Sequence, residues 1–167
     1  MNFKIVGAFA AVALLAACSH KPVDNGGAVV TPPTTTTTTT GIVPGSQEDL
    51  VANVGDRVFF ALNKSTLSED AQKTLGKQAD FLAKYPADKI QIAGNADERG
   101  TEEYNRALGE RRALAAREAL AKLGVSPDRI RTISYGKDKP ADPGHDESAW
   151  GKNRRDDFIL LHPKAGV

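Results

Sequence analysis

The chain has 167 residues, with 22 Lys and Arg against 21 Asp and Glu, one Cys and 6% aromatic residues. That length allows one domain of ordinary size with something further at an end. Near-neutral charge removes any general pull on nucleic acid or anionic lipid, and a lone cysteine excludes an internal disulfide framework and a thiolate-rich zinc site.

Met1-Asn2-Phe3-Lys4 is a short basic start, and Ile5 to Ala17 is a continuous apolar run ending in small residues. The run is too short for an ordinary membrane span and fits a signal peptide over residues 1–17. It ends in Leu15-Ala16-Ala17-Cys18, which resembles the lipobox of bacterial lipoproteins. The alternatives are a buried free cysteine or an ordinary secretory cleavage site. The only cysteine stands at the end of the only apolar run, which favours lipidation of Cys18. The resemblance implies cleavage before Cys18, diacylglycerol on its thiol and acylation of its new amine. Several chains at about 0.8 kcal/mol per buried CH₂ make a durable anchor where one would be marginal. Loss of Lys4 with the signal leaves 21 basic against 21 acidic residues. Ser19 rather than Asp follows Cys18, which points to the outer membrane, facing the periplasm.

Residues 18–49 read as a lipidated N-terminus and a disordered tether. They contain Gly26-Gly27, Pro32-Pro33, Thr34 to Thr40 and Pro44-Gly45, with no apolar periodicity to offset the entropy of ordering. About 30 such residues span roughly 30 Å root-mean-square and about 100 Å when straight. The threonine run is also open to glycosylation.

The folded domain is predicted over residues 50–167. Arg57 to Leu62 reads as a strand buried on both faces. Ser68, followed by Glu69 and Asp70, starts a helix that Pro86 must end. Lys89 to Ala93 is a second strand. Thr101 caps a helix with Glu102 and Glu103 in its first turn, running to Leu123 before Gly124. Arg129 to Tyr135 is a third strand, Glu147 to Lys152 a short helix, and Phe158 to Leu161 a fourth strand. The order β-α-β-α-β-β predicts an α+β fold, a mixed four-stranded sheet with both long helices on one face.

With Thr101 at zero and 100° per residue, Leu108, Ala115, Ala119 and Leu123 form an apolar stripe about 40° to either side, with Tyr104 and Ala116 about 60° away. Arg112 falls about 20° from its centre. An inward guanidinium is costly unless a carboxylate meets it, and the Asp97-Glu98-Arg99 turn directly precedes this helix. Two readings stand side by side. One is an internal Asp97–Arg112 salt bridge. The other is a zwitterion receptor, Arg112 gripping a ligand carboxylate and Asp97 accepting from a ligand ammonium. Glu98 and Arg99 read as solvated turn charges.

The stretches "GNADERGTEEYNRALGERRA", "ISYGKDKP" and "GHDESAWGKNRR" resemble the OmpA-like peptidoglycan-binding domain family, and within it the peptidoglycan-associated lipoproteins of Gram-negative bacteria, over about Val58 to Leu161. The resemblance implies a periplasmic domain that binds peptidoglycan noncovalently and works with the Tol proteins to hold the outer membrane to the wall and draw it inward during division. Carried over position by position, Asp97 and Arg112 hold the meso-diaminopimelate side chain of the stem peptide, with Asn105 beside them. Asn63 falls where relatives use Asn or Asp, and backbone amides there can reach the carboxylate. The resemblance further implies binding to TolB through an overlapping surface, with Glu102, Tyr104 and the loop near His145 as its candidates. Three positions depart from the family: Asn95 for a usual His, Ala61 for a usual Asp, and Asp156 for an apolar residue.

Catalysis on the wall would need a metal triad, an activated nucleophile or a carboxyl pair with separated pKa values. His20, His145 and His162 have no metal-ligand spacing and read as surface residues, and Cys18 is assigned to lipid. No enzyme, cofactor or metal site is expected. A purely protein-binding module is the remaining alternative.

Overall fold

A computed structural model describes residues 41–161. The signal peptide, Cys18, the tether through residue 40, His20 and His162 lie outside the described residues. Among those described, no helix is long and apolar enough to cross a membrane.

The strands are β1 (Arg57–Phe59), β2 (Ile90–Asn95), β3 (Ile130–Gly136) and β4 (Arg155–Leu160), in the sheet order β1-β4-β2-β3. β4 runs antiparallel to both its neighbours, and β2 pairs with β3 in parallel. A parallel neighbour requires a crossover, which the 21-residue α3 (Glu102–Lys122) supplies. The short α1 (Gln47–Asp49) precedes β1, α2 (Glu69–Lys84) lies between β1 and β2, and α4 (Glu147–Asn153) precedes β4. Leu75, Leu82 and Leu120 from the helices meet Val58, Ile90, Ile92 and Phe158 from the sheet in one core.

The helix boundaries follow the expected chemistry. Ser68 Oγ accepts from Ala71 N at 3.2 Å and Thr101 Oγ1 from Tyr104 N at 3.2 Å, so each helix starts on a hydroxyl cap. α2 stops at Lys84, two residues before Pro86, and α3 stops two before Gly124.

Four expectations change. β1 is not buried on both faces: it is a three-residue edge strand in which Val58 is buried and Phe59 is 50% exposed. β4 starts three residues early, because its charges Arg155 and Asp157 pair with each other at 2.8 Å along the strand instead of forming a loop. The packed fold also takes in residues read as tether. Gln47 Nε2 donates to Phe158 O at 3.1 Å and its Oε1 accepts from Leu160 N at 2.8 Å, continuing the β4 ladder where β1 has ended.

The fourth change is the rotation of α3. Its buried face is Asn105, Leu108, Gly109, Arg112, Ala113, Ala116 and Leu120, while Leu123 is 52% exposed. The apolar wheel had no weight for Gly109, whose missing side chain is what seats the helix. A methyl group on Gly94 would overlap the Gly109 carbonyl, and one on Gly109 would strike Ser134 Oγ and the Gly94 backbone. Backbone thus rests on backbone at the end of β2, and this brings Arg112, one turn further along, down to the sheet.

Candidate functional site

The site is the rim where β2 ends. β2 shifts register between Gly94 and Asn95, and Ala96 N still donates to Gly136 O at 2.7 Å, so the chain leaves the sheet only at Asp97. Gly100, with φ of +97°, turns the loop into α3, a conformation that strains other residues. Asn105 Nδ2 ties the loop back by donating to Arg99 O at 3.0 Å. The sequence-predicted Asn105 is therefore present and buried, holding the loop's shape.

Arg112 lies inward as its spacing predicts, with no exposed surface. Its partners are backbone oxygens: Nε donates to Lys64 O at 2.8 Å, Nη1 to Asn95 O at 2.6 Å and Nη2 to Ala61 O at 3.2 Å. One guanidinium thus staples the loop after β1 to the end of β2, and the face of the Phe60 ring lies 5.0 Å away. Burial pulls its pKa down to about 10, opposed mainly by the charge of Asp156 and further by that of Asp97, so it stays charged at neutral pH. The Ala61 departure falls on this loop, where only the backbone carbonyl is used. Asn63 sits at its apex with φ of 55°, exposed, and Lys64 N closes the turn onto Ala61 O at 3.1 Å.

Asp97 is also buried, but it does not pair with Arg112, and the internal salt bridge is corrected on this point. Arg99 Nη2 reaches Asp97 Oδ2 at 2.7 Å, Arg99 Nε and N reach Oδ1 at 3.1 Å each, and Arg154 Nη1 lies at 3.4 Å. Burial alone would push this carboxyl up. The bonds from Arg99 and Arg154 outweigh burial and hold it below the usual carboxylate range. The geometric reason for the missing pair is that the Arg112 fork is spent on carbonyls before it reaches the rim.

Glu98 and Arg99 are more than solvated turn charges. Glu98 accepts from Trp150 Nε1 at 2.8 Å and approaches His145 Nδ1 at 2.7 Å, and Arg99 stacks over the Trp150 ring at 4.0 Å. Arg154 donates to Phe60 O at 3.1 Å and to Glu147 Oε1 at 2.6 Å. Together these contacts clamp α4 to the Asp97 loop. Arg154 escaped the sequence reading although it lies inside a quoted motif, because it follows a seven-residue helix too short to show periodicity.

Asn95 turns away from the rim. Its Nδ2 donates to Ala93 O at 2.9 Å and to Asp157 Oδ2 at 3.1 Å, so only its carbonyl serves the site. Asp156 lies on the opposite, helix-facing side of the sheet, in line with Phe158 and Leu160 and paired to Gly94. It is fully buried, and neither carboxylate oxygen has a hydrogen-bond partner. Burial pushes its carboxyl well above the usual range, with the Arg112 charge the main opposition.

Among the described residues no cluster of His, Cys, Asp and Glu could hold a metal ion. A groove of about 650 Å³ lies away from the rim, walled by Leu67, Leu75, Ala115, Ala119 and Leu123. A carboxylate, Asp97, and a guanidinium, Arg112, are both buried at one sheet end.

The OmpA family pattern matches residues 59–154. The chain is 55% identical over 117 residues to the peptidoglycan-associated lipoprotein of Rhizobium meliloti, covering 70% of this chain and 66% of that protein. It is 40% identical over 158 residues to the protein of the same name from Legionella pneumophila, covering 90% of each. The crystal structure of the peptidoglycan-associated lipoprotein from Burkholderia pseudomallei superposes with a TM-score of 0.61 at 43% identity, over 63% of this chain and 89% of that one.

Proposed function

Because this chain belongs to the OmpA family and within it to the peptidoglycan-associated lipoproteins, we propose that it is an outer-membrane lipoprotein that binds peptidoglycan noncovalently through the diaminopimelate of the stem peptide. The observation that carries the reading is the rim: an ionised carboxylate, Asp97, and a charged guanidinium, Arg112, both withheld from water at the end of β2. The free end of a diaminopimelate side chain carries an ammonium and a carboxylate on one carbon. In this reading Asp97 accepts from the ammonium and Arg112 donates to the carboxylate, while backbone amides at Asn63 add donors and Asn105 keeps the loop in shape.

The geometry sets two conditions. Arg99 now occupies Asp97 as an ammonium would, and must leave it; Glu147, 3.7 Å from Arg99 Nη1, and the Trp150 ring are waiting partners. Arg112 uses three of its N–H groups on carbonyls, leaving two for a ligand once the Ala61–Lys64 loop opens. Recognition is by binding, without catalysis.

Lipid on Cys18 would anchor the chain to the outer membrane with the domain in the periplasm. Tol proteins would be its partners, TolB among them, in keeping the envelope intact and drawing the outer membrane inward at division. Exposed Glu102 and Tyr104 beside the rim, with the loop at His145, supply a surface for TolB.

Co-sedimentation with purified sacculi tests the reading. The wild-type chain should sediment, meso-diaminopimelic acid should release it, and the Nα-acetyl amide of lysine, which ends in an ammonium with no carboxylate on the same carbon, should not. Undiminished sedimentation of Asp97→Asn would refute the assignment. Release of soluble wall fragments would indicate an enzyme.

A further inference from the structure

We propose that Asp156 is a positioning residue for the anion end of this rim: its carboxyl, set beside Arg112 on the helix-facing side of β4 without a hydrogen-bond partner, governs by one proton how strongly Arg112 attracts a ligand carboxylate. The inference rests on the diaminopimelate reading above and concerns its regulation.

Two observations support it. Arg112 bonds only neutral carbonyl oxygens, and among the described residues no carboxylate lies within ion-pair distance of it. Its charge is therefore answered without an ion pair: Asp156 pairs across the sheet with Gly94, the residue before the Asn95 whose carbonyl Arg112 bonds, and it is the carboxylate that acts on Arg112 most strongly. Second, Asp156 has no exposed surface and both its oxygens lack hydrogen-bond partners, so no hydrogen bond offsets the cost of burying its ionised form and Arg112 is the main charge that favours it.

The surroundings of Asp156 are otherwise poor in charge. Val58 of β1 and Gly94 of β2 pair with it and carry none, and α3 contributes Arg112. On its own strand Asp157 repels and Arg155 attracts, and these two face the other side of the sheet. Arg154 and Asp97 act on Arg112 with opposite signs.

When Asp156 is ionised, it and a ligand carboxylate share one guanidinium and repel each other. When it is neutral, the ligand has that charge undivided. Linkage makes the effect reciprocal: the factor by which the proton strengthens ligand binding equals the factor by which the ligand strengthens proton binding. Asp97 is held ionised by its two arginines in the free protein, and the ligand ammonium would take the place of Arg99 in the complex. Affinity for the zwitterion should therefore fall as pH rises through the Asp156 titration.

Calorimetric titration of the full-length chain in detergent with meso-diaminopimelic acid, in buffers of different ionisation heat, provides the test. Between about pH 5 and about pH 9 wild-type affinity should drop about tenfold, the equivalent of one pKa unit, with proton uptake on binding. Asp156→Asn should lose this slope and the associated uptake, and bind more tightly than wild type at the alkaline end. Asp156→Val should behave alike and serves if the Asn variant fails to fold. Equal slopes in wild type and a folded variant overturn the proposal while leaving the ligand reading intact. Absence of wild-type binding at every pH overturns the ligand reading, and this inference with it.

Discussion

Arg99 and Asp97, two residues apart, close on each other through Nη2 at 2.7 Å and Nε at 3.1 Å. An internal cation thus holds the place proposed for a ligand ammonium, and Arg99 is the more exposed partner of the pair. Apparent affinity is scaled down by the fraction of molecules in which Asp97 is open. Arg99→Ala should therefore tighten meso-diaminopimelic acid binding by about 3- to 10-fold, read by calorimetry. Weaker binding would show instead that Arg99 orients Asp97 for the ligand.

Arg112 is a staple as well as a proposed ligand group. Its removal strands the carbonyls of Lys64, Asn95 and Ala61 and leaves Asp156 without its counter-charge. Arg112→Ala should lose about 3 to 5 kcal/mol in urea denaturation, in the range for breaking a buried charged contact. Arg112→Lys, a point charge that cannot span three acceptors, should fall between. Sacculus binding by these variants is interpretable only beside their melting curves, and Asp97→Asn is the cleaner probe.

Gly109 and Gly76 should respond oppositely to alanine. At 109 the methyl meets Ser134 Oγ and the Gly94 backbone, forcing α3 off the sheet at a cost of about 1 to 3 kcal/mol. At 76, in α2, nothing lies within 4 Å, and alanine should stabilise by about 0.5 to 1 kcal/mol through helix propensity alone. Thermal denaturation of the two variants reads the difference.

Asp156 should also imprint stability. Its folded carboxyl titrates above the unfolded one, so over that interval the folded state holds more protons and stability falls as pH rises. Asp156→Asn should match wild type near the acid end of the folded range and exceed it increasingly toward alkaline pH in urea titrations. A constant gap at all pH values would mean that the carboxyl does not titrate there.

Much of this was legible in the chain because it is written in local rules. Thr101 as a cap, Pro86 as a stop and Gly124 as an end each act over one helical turn, and the inward turn of Arg112 follows from periodicity alone. What Arg112 touches was not legible. Its acceptors are carbonyls of Ala61, Lys64 and Asn95, and a backbone oxygen has no letter in a sequence. The same holds for the seat of α3, set by the absence of side chains at Gly94 and Gly109. Arg154 and Trp150 join the rim across about 50 residues of chain, a separation that no window of periodicity spans. Arg155 and Asp157 concealed the start of β4 because their cross-pairing lets a strand carry charges typical of a loop.

The Gln47 clasp on Phe158 and Leu160 lies at the end of β4 that pairs with Ile90, whereas Asp97 lies just past Asn95 at the other end of β2. The point where the chain from the N-terminus joins the sheet and the rim are thus separated by the length of β2, about 17 Å. A pull applied between them runs along the strands, across ladder bonds that lie perpendicular to it. Such loading shears the whole β2–β4 ladder at once instead of peeling it bond by bond. Under the proposed function, in which lipid on Cys18 holds one end and the rim grips at the other, the domain would be strongest along the line in which it is tugged.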